Sequence, residues 1–187
     1  MLLDSADRAG LSRAFAQAQE RGWIGPQEID RHIDHSLGFA AVAASVPTVA
    51  VDVGSGGGLP ALVLAAAWPH TQWTLVESSL ARAAFLELHC AHLGWSDRVE
   101  VLHSTVEHLG DNEQYRGRAD LVTARSFGPP SSAIEAAAPL LRTGGQLIVS
   151  AAPDATPWPS DMLAKQGMAP DRLTQSPPRF HRSTRTN

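Results

Sequence analysis

Five short runs of apolar, largely β-branched residues recur through the middle of the chain, separated by stretches with helical spacing. The runs are TVAVDV (48–53), QWTLVE (72–77), VEVLH (99–103), ADLVTA (119–124) and QLIVS (146–150). Between them lie LPALVLAAAW (59–68), a helix over 79–93 expected to turn Leu80, Ala84, Leu88 and Ala91 inward, and SSAIEAAAPLL (131–141), a helix expected to end at Gly144-Gly145. A strand that is apolar on both faces needs cover on both, and helices alternating with strands supply it. The chain therefore reads as α/β, with a doubly wound, mostly parallel sheet and helices on both faces. In such sheets a ligand sits beyond the carboxyl ends of the strands, where the strand order reverses.

Two amphipathic helices precede the first run. Leu11, Ala14, Phe15 and Ala18 repeat at the spacing of one buried face, with Asp4 or Ser5 placed to cap the start and Gly22 to stop it. After the Gly25-Pro26 break, Ile29, Ile33, Leu37 and Ala40 mark the second. Residues 1–46 are thus read as a short helical extension and 47–150 as the ligand-binding core, within a single domain of 187 residues. Residues 151–187 are rich in Pro, Ser and Thr and are expected to be weakly structured, with DRLTQ and RFHRST as the segments able to form edge strands.

Charge is uneven along the chain. The net value is −4, yet Lys165, Arg172, Arg179, Arg182 and Arg185 face a single acid, Asp171, in the last stretch. A basic tail on an acidic body either meets phosphates or is a solvated terminus. The start, MLLDSADRAG, lacks the basic and apolar blocks of a secretory leader, and no run is long and apolar enough for a bilayer. Cys90 stands alone, so neither an internal disulfide nor a cysteine metal cluster is expected, and a cytoplasmic monomer is the plain reading. The histidines, at 32, 35, 70, 89, 92, 103, 108 and 181, show no ligand spacing tied to a carboxylate motif and read as core or surface residues. The tryptophans read as packing and rim residues.

The first run leads into VDVGSGGGLP (51–60). Glycines 54, 56 and 58 follow a strand and open a helix, where a chain without Cβ atoms lets backbone amides approach a ligand. The helix start adds unpaired N–H groups and a partial positive charge. Glu77 ends the second strand, where an acid can bond the two hydroxyls of an adenosine ribose. A nicotinamide fingerprint needs its third glycine at position 59, which is Leu59 here. The G-S-G-G-G order, with Asp52 and Ser55 at the loop, instead looks like the donor loop of methyltransferases that use S-adenosylmethionine.

Longer stretches carry a more specific likeness. VDVGSGGGLPALVLA (51–65), TLVESSLARAAFLE (74–87), VEVLHSTVEHLG (99–110), DLVTARSF (120–127) and APLLRTGGQLIV (138–149) resemble the GidB-like family, bacterial enzymes that methylate a guanine N7 in small-subunit ribosomal RNA. RHIDHSL (31–37) is a weaker echo of the family's His–x–x–Asp–Ser–Leu segment. The resemblance implies a Rossmann-like methyltransferase sheet, S-adenosylmethionine as cofactor, and ribosomal RNA or the small ribosomal subunit as partner, with no metal and no membrane. It implies that Asp52, Gly54, Ser55, Gly56 and Gly58 lie along the donor and that Glu77 takes the ribose. Backbone at Thr105, Val106 and Glu107 is implied to meet the adenine, and Arg125 is the implied catalytic residue on the substrate side.

There are departures from the family pattern. His35 stands where the family has Asp, Thr105 where it has Arg, and SAAPD follows the fifth strand in place of Lys-Gly. Arg125 can bind a donor carboxylate, a phosphate or guanine O6, or be a structural ion pair with an acid such as Asp120. A guanine N7 presents a free lone pair, so the lack of a His/Asp base pair is compatible with methylation there. The same fold acting on a small molecule, or a scaffold that kept the fold without catalysis, remain alternatives at this stage.

Overall fold

The computed structural model describes residues 3–150, 158–172 and 179–183. Its strands are β1 (Val49–Val53), β2 (Gln72–Glu77), β3 (Val99–His103), β4 (Ala119–Arg125), β5 (Leu141–Ser150), β6 (Met168–Arg172) and β7 (Arg179–Arg182), in one sheet ordered β3-β2-β1-β4-β5-β7-β6. Neighbours from β3 through β5 run parallel, while β7 runs antiparallel to both β5 and β6. The order turns back between β1 and β4, which places the switch point at the carboxyl ends of those two strands.

The strand period of two sorts each run onto two cores. Ala50 of β1 faces one side, with helices α1 (Ser5–Glu20), α2 (Ile29–Val42), α3 (Ala61–Ala67) and α4 (Leu80–His92). Val51 and Val53 face the other, with α5 (Val106–Asp111), α6 (Pro130–Ala137) and α7 (Ser160–Lys165). The expected stripe of α1 is buried as drawn: Leu11, Ala14, Phe15 and Ala18 are inaccessible to solvent. Asp4 caps this helix, its Oδ1 accepting from Asp7 N at 2.7 Å, a contact worth about 1 kcal/mol. Gly22, at φ 69°, turns the chain out of it while Trp23 N donates to the Ala18 carbonyl.

Several elements differ from the expectation. In α4 the buried residues are Ala83, Phe85, Leu86, His89 and Cys90, and Leu80 and Leu88 are 66% and 51% exposed. The helix carries apolar residues on two stripes, one through Leu80, Ala84 and Leu88 and one through Ala83, Phe85, Leu86 and Cys90, and the one carrying the Phe85 ring buries more surface. In α2 the deepest positions are His32, Ile33, Ser36, Phe39 and Val42, with Leu37 and Ala40 only half-buried. Helix α6 stops at Ala137, and β5 already begins at Leu141; Gly144 and Gly145 lie within an irregularity of that strand, where a Cβ on Gly145 would come 2.7 Å from the Ala119 carbonyl. Helices α5 and α7 are too short for a periodic signal. RFHRST supplies β7, whereas DRLTQ gives β6 only its first two residues and otherwise lies outside the described residues.

Two of the tail's cations turn inward, while Lys165 is exposed. Arg179 is buried and its Nη1 donates to the Val42 carbonyl, while Arg182 Nη1 donates to the carbonyls of Ala138 and Leu141. These guanidiniums tie β7 to the ends of α2 and α6, so this part of the basic tail is structural and not a solvated terminus.

Candidate active site

Strand alternation sets which side chains can meet at the switch point. Ala50, Leu121 and Ile148 belong to the core beneath α1–α4. Residues two or four further along the same strands, Asp52, Thr123, Arg125 and Ser150, therefore lie on that same face. Register pairs Asp52 with Thr123 and Arg125 with Ser150, so a polar row crosses three strands exactly where α2 overlies them.

The glycine loop is held largely by backbone. Gly54 N and Ser55 N both donate to the Val76 carbonyl, at 2.9 and 3.0 Å, and Gly58 N donates to the Ser55 carbonyl at 2.8 Å. Gly54, Gly56 and Gly58 have φ of 68°, 56° and 95°, a region that side chains with a Cβ rarely enter. A Cβ on Gly54 would meet the Phe127 ring at 2.6 Å and one on Gly58 the Leu62 side chain at 2.5 Å. At Gly56 the nearest atom is the Gly54 carbonyl at 3.7 Å, so this residue faces open space. Ser55 is buried, its hydroxyl donating to the Asp52 carbonyl.

Glu77 does more than the sequence implied. Its Oε2 accepts from Gly56 N and its Oε1 from Ser79 N, both at 2.8 Å, and the residue is 3% exposed. It fastens the loop to the end of β2, and each oxygen keeps a second lone pair for another donor. Arg82 lies 4.0 Å from Oε1.

Three cavities run along the strand ends. One, of about 200 Å³, is walled by Gly54, Val76, Thr105, Val106, Glu107 and Phe127, so the predicted third-block residues come to the same wall as the glycine loop. Val106 is buried and Thr105 and Glu107 are exposed; a bond from its own backbone N–H and then the Thr105 hydroxyl hold the Glu107 carboxyl below its ordinary pKa. A second, of about 140 Å³, shares Gly54 and adds Gly56, Gly57, Trp23, Ile24 and Arg125. The third, of about 350 Å³, shares Arg125 with the second and is lined by Arg31, His32, His35, Ser126 and Ser150.

Arg125 links the last two. Its Nη2 lies 3.2 Å from His32 Nδ1, and His32 Nε2 lies 3.0 Å from the Gly25 carbonyl. A carbonyl only accepts, so Nε2 carries the imidazole proton and Nδ1 is left to accept from the guanidinium. Arg125 Nη1 is buried without a partner among the described residues. Burial lowers the Arg125 pKa from its ordinary value, with Asp52 acting in the opposite direction. The alternative pairing with Asp120 is not formed: Asp120 binds Arg142 at 2.5 Å and the amides of Thr48 and Val49.

Asp52 is fully enclosed. Its Oδ1 accepts from Thr123 Oγ1 at 2.5 Å, and Oδ2 has no partner among the described residues. Burial pushes its pKa up to about 7 against the opposing Thr123 hydrogen bond.

The sequence reading left His32, His35 and Ser150 without a role. His35 Nε2 lies 2.9 Å from Ser150 Oγ, beside the His32–Arg125 contact. The only signal was the RHIDHSL echo, since neither histidine has a spacing that marks a site. Ser126, at φ 54°, is the non-glycine residue that the strand end forces into the left-handed region. Cys90 is buried and its thiol is raised to about 12, which leaves it inert as a nucleophile. Among the described residues no cluster of three metal-ligating side chains occurs, and no helix is long and apolar enough to cross a membrane.

Solved structures with this fold include a methyltransferase from Geobacter sulfurreducens, with TM-score 0.68 at 16% identity over 98% of this chain and 92% of that one. A protein from Corynebacterium glutamicum matches with TM-score 0.60 at 18% identity, covering 96% of this chain and 92% of that one. Sequence likeness is closer. The ribosomal RNA small subunit methyltransferase G of Salinispora tropica is 36% identical over 94% of this chain and 75% of its own length. Its namesake from a Nocardioides species is 39% identical over 77% of this chain and 59% of its own length. The GidB profile, described as rRNA small subunit methyltransferase G, matches residues 13–154, a span holding the glycine loop, Glu77, Arg125 and both α2 histidines, and the chain belongs to that family.

Proposed function

We propose that the protein transfers a methyl group from S-adenosylmethionine to the N7 of a guanine in small-subunit ribosomal RNA, acting as a cytoplasmic monomer. The observation that carries this reading is the pair of cavities meeting at Gly54 on the switch point. One end offers the apolar walls of Val106 and Phe127, which suit an adenine, and the other the guanidinium of Arg125, which suits an amino-acid carboxylate. The unpartnered Asp52 Oδ2 and Arg125 Nη1 fit a zwitterionic end, and the open space before Gly56 is room that a Cβ would fill.

In this assignment Gly54, Ser55, Gly56 and Gly58 shape the donor trough, Glu77 bonds the ribose, and Thr105, Val106 and Glu107 border the base. Asp52 supports the charged end. The bound donor supplies a methyl group already activated on a sulfonium. The protein's part is alignment: the loop fixes one reactant, and Arg125, oriented by His32, stands between it and the acceptor side. No side chain has to remove a proton, because N7 presents a lone pair.

The test is methylation of ribosomal RNA from a strain lacking the gene, with labelled donor. Label at one guanine of the small-subunit RNA is expected. Absence of label with donor binding intact would transfer the acceptor to another class of molecule.

A further inference from the structure

We infer that the cavity between α2 and the carboxyl ends of β4 and β5, walled by Arg31, His35 and Arg125, holds a phosphate of the acceptor nucleotide. The inference rests on the proposed methyl transfer to RNA and names a subsite within it.

The chemistry of the walls selects the ligand. Two guanidiniums, two imidazoles, the amide of Gln27 and the hydroxyls of Ser126 and Ser150 converge there, and among the described residues no carboxylate lines the space. Guanidinium groups donate and never accept. A guanine edge has N–H donors that need acceptors, and on this wall the ten guanidinium N–H groups outnumber the acceptors that the Gln27 amide, the two hydroxyls and the imidazoles supply. A phosphate needs only donors and positive charge, and Arg presents its donors in a fork that matches it. At about 350 Å³ the cavity lies at the small end of ligand sites, which run from about 300 to 1,000 Å³.

Charge in the cavity is unbalanced. Burial, then Arg125 and His32, hold the His35 imidazole below its ordinary pKa. Arg31 is exposed, and the neighbouring acid Asp30 is taken by Arg8 at 2.6 Å. Arg125 Nη1 has no partner among the described residues, while Nη2 is fixed by His32. An anion in this space would meet the preset Arg125 donor, the exposed Arg31 side chain and the His35–Ser150 pair. Because Arg125 also borders the glycine-loop cavity, a nucleotide anchored here presents its base next to the donor trough.

The probes are guanosine, guanosine 5′-monophosphate and inorganic phosphate, titrated into the full protein holding S-adenosylhomocysteine. The monophosphate should bind roughly tenfold tighter than guanosine, and Arg31→Ala with His35→Ala should remove the difference. In parallel, the double variant should raise KM for the ribosomal RNA acceptor while leaving donor affinity unchanged. Equal binding of the nucleoside and its monophosphate, or a preference that survives in the double variant, overturns the inference. Inorganic phosphate binding as tightly as the monophosphate also overturns it, because the cavity is then a free-anion site. If the wild type methylates no ribosomal RNA, the functional reading fails and the nucleotide titrations alone decide the subsite.

Discussion

The glycine-loop side and the α2 side of the site touch at Arg125 but are built differently. On the loop side the shape comes from backbone: amides of Gly54, Ser55 and Gly56 bond Val76 and Glu77, and three glycines take up positive φ. On the α2 side the shape comes from side chains more than ninety residues apart in sequence, His32 with Arg125 and His35 with Ser150. A backbone-built site tolerates little variation, because a single Cβ closes it. A side-chain-built site can change its ligand by single substitutions, and the departure at His35 falls on that side.

This contrast is broken or sharpened most strongly at Gly56. Gly56→Val should lower donor affinity roughly a hundredfold or more. Its fold should lose only about 1–2 kcal/mol from the left-handed conformation, read by urea unfolding. An intact affinity would show that the open space before Gly56 is not donor space.

A smaller effect is expected on the other side. His32→Ala should lower kcat about tenfold by releasing Arg125, with donor affinity nearly unchanged. His32→Asn, whose amide oxygen can accept from the guanidinium near the position of Nδ1, should recover part of that loss. Failure of Asn to recover anything, with the fold intact, would remove the orienting role.

Asp52 gives a pH signature of the loop side. An unfolded aspartate titrates near ~4, whereas burial holds Asp52 at about 7 in the fold. Between those values the folded chain binds more protons than the unfolded one, so stability from this residue falls as pH rises through the window and levels off above it. Urea midpoints across the window should therefore slope less in Asp52→Asn than in the wild type. Parallel slopes would show that Asp52 is ionised in the fold.

The smallest effect belongs to α4. Leu88→Lys should change stability by no more than about 0.5 kcal/mol, because Leu88 is 51% exposed. A large loss would restore the face expected from the sequence.

How much was legible follows the same division. The strands and the glycine loop were visible because period, β-branching and glycine spacing are local properties, and Glu77 was placed by its distance from the loop. The inward face of α4 was misread because apolar residues lie on two stripes of the helix, and only packing against the sheet selects the one with Phe85. His32 and His35 were passed over because their partners, Arg125 and Ser150, come within reach only through sheet register and the crossing of α2. The seventh strand was left open because RFHRST lacks alternation; its place depends on pairing with β5 and on Arg179 reaching the end of α2.

The most direct measurement is calorimetric titration of the wild type and Gly56→Val with S-adenosylmethionine, S-adenosylhomocysteine and NAD. Saturable binding of both adenosyl ligands by the wild type, none with NAD and none in the variant, is the expected result. No binding of either adenosyl ligand to a folded wild type would contradict the assignment of the glycine loop as a methyl-donor site.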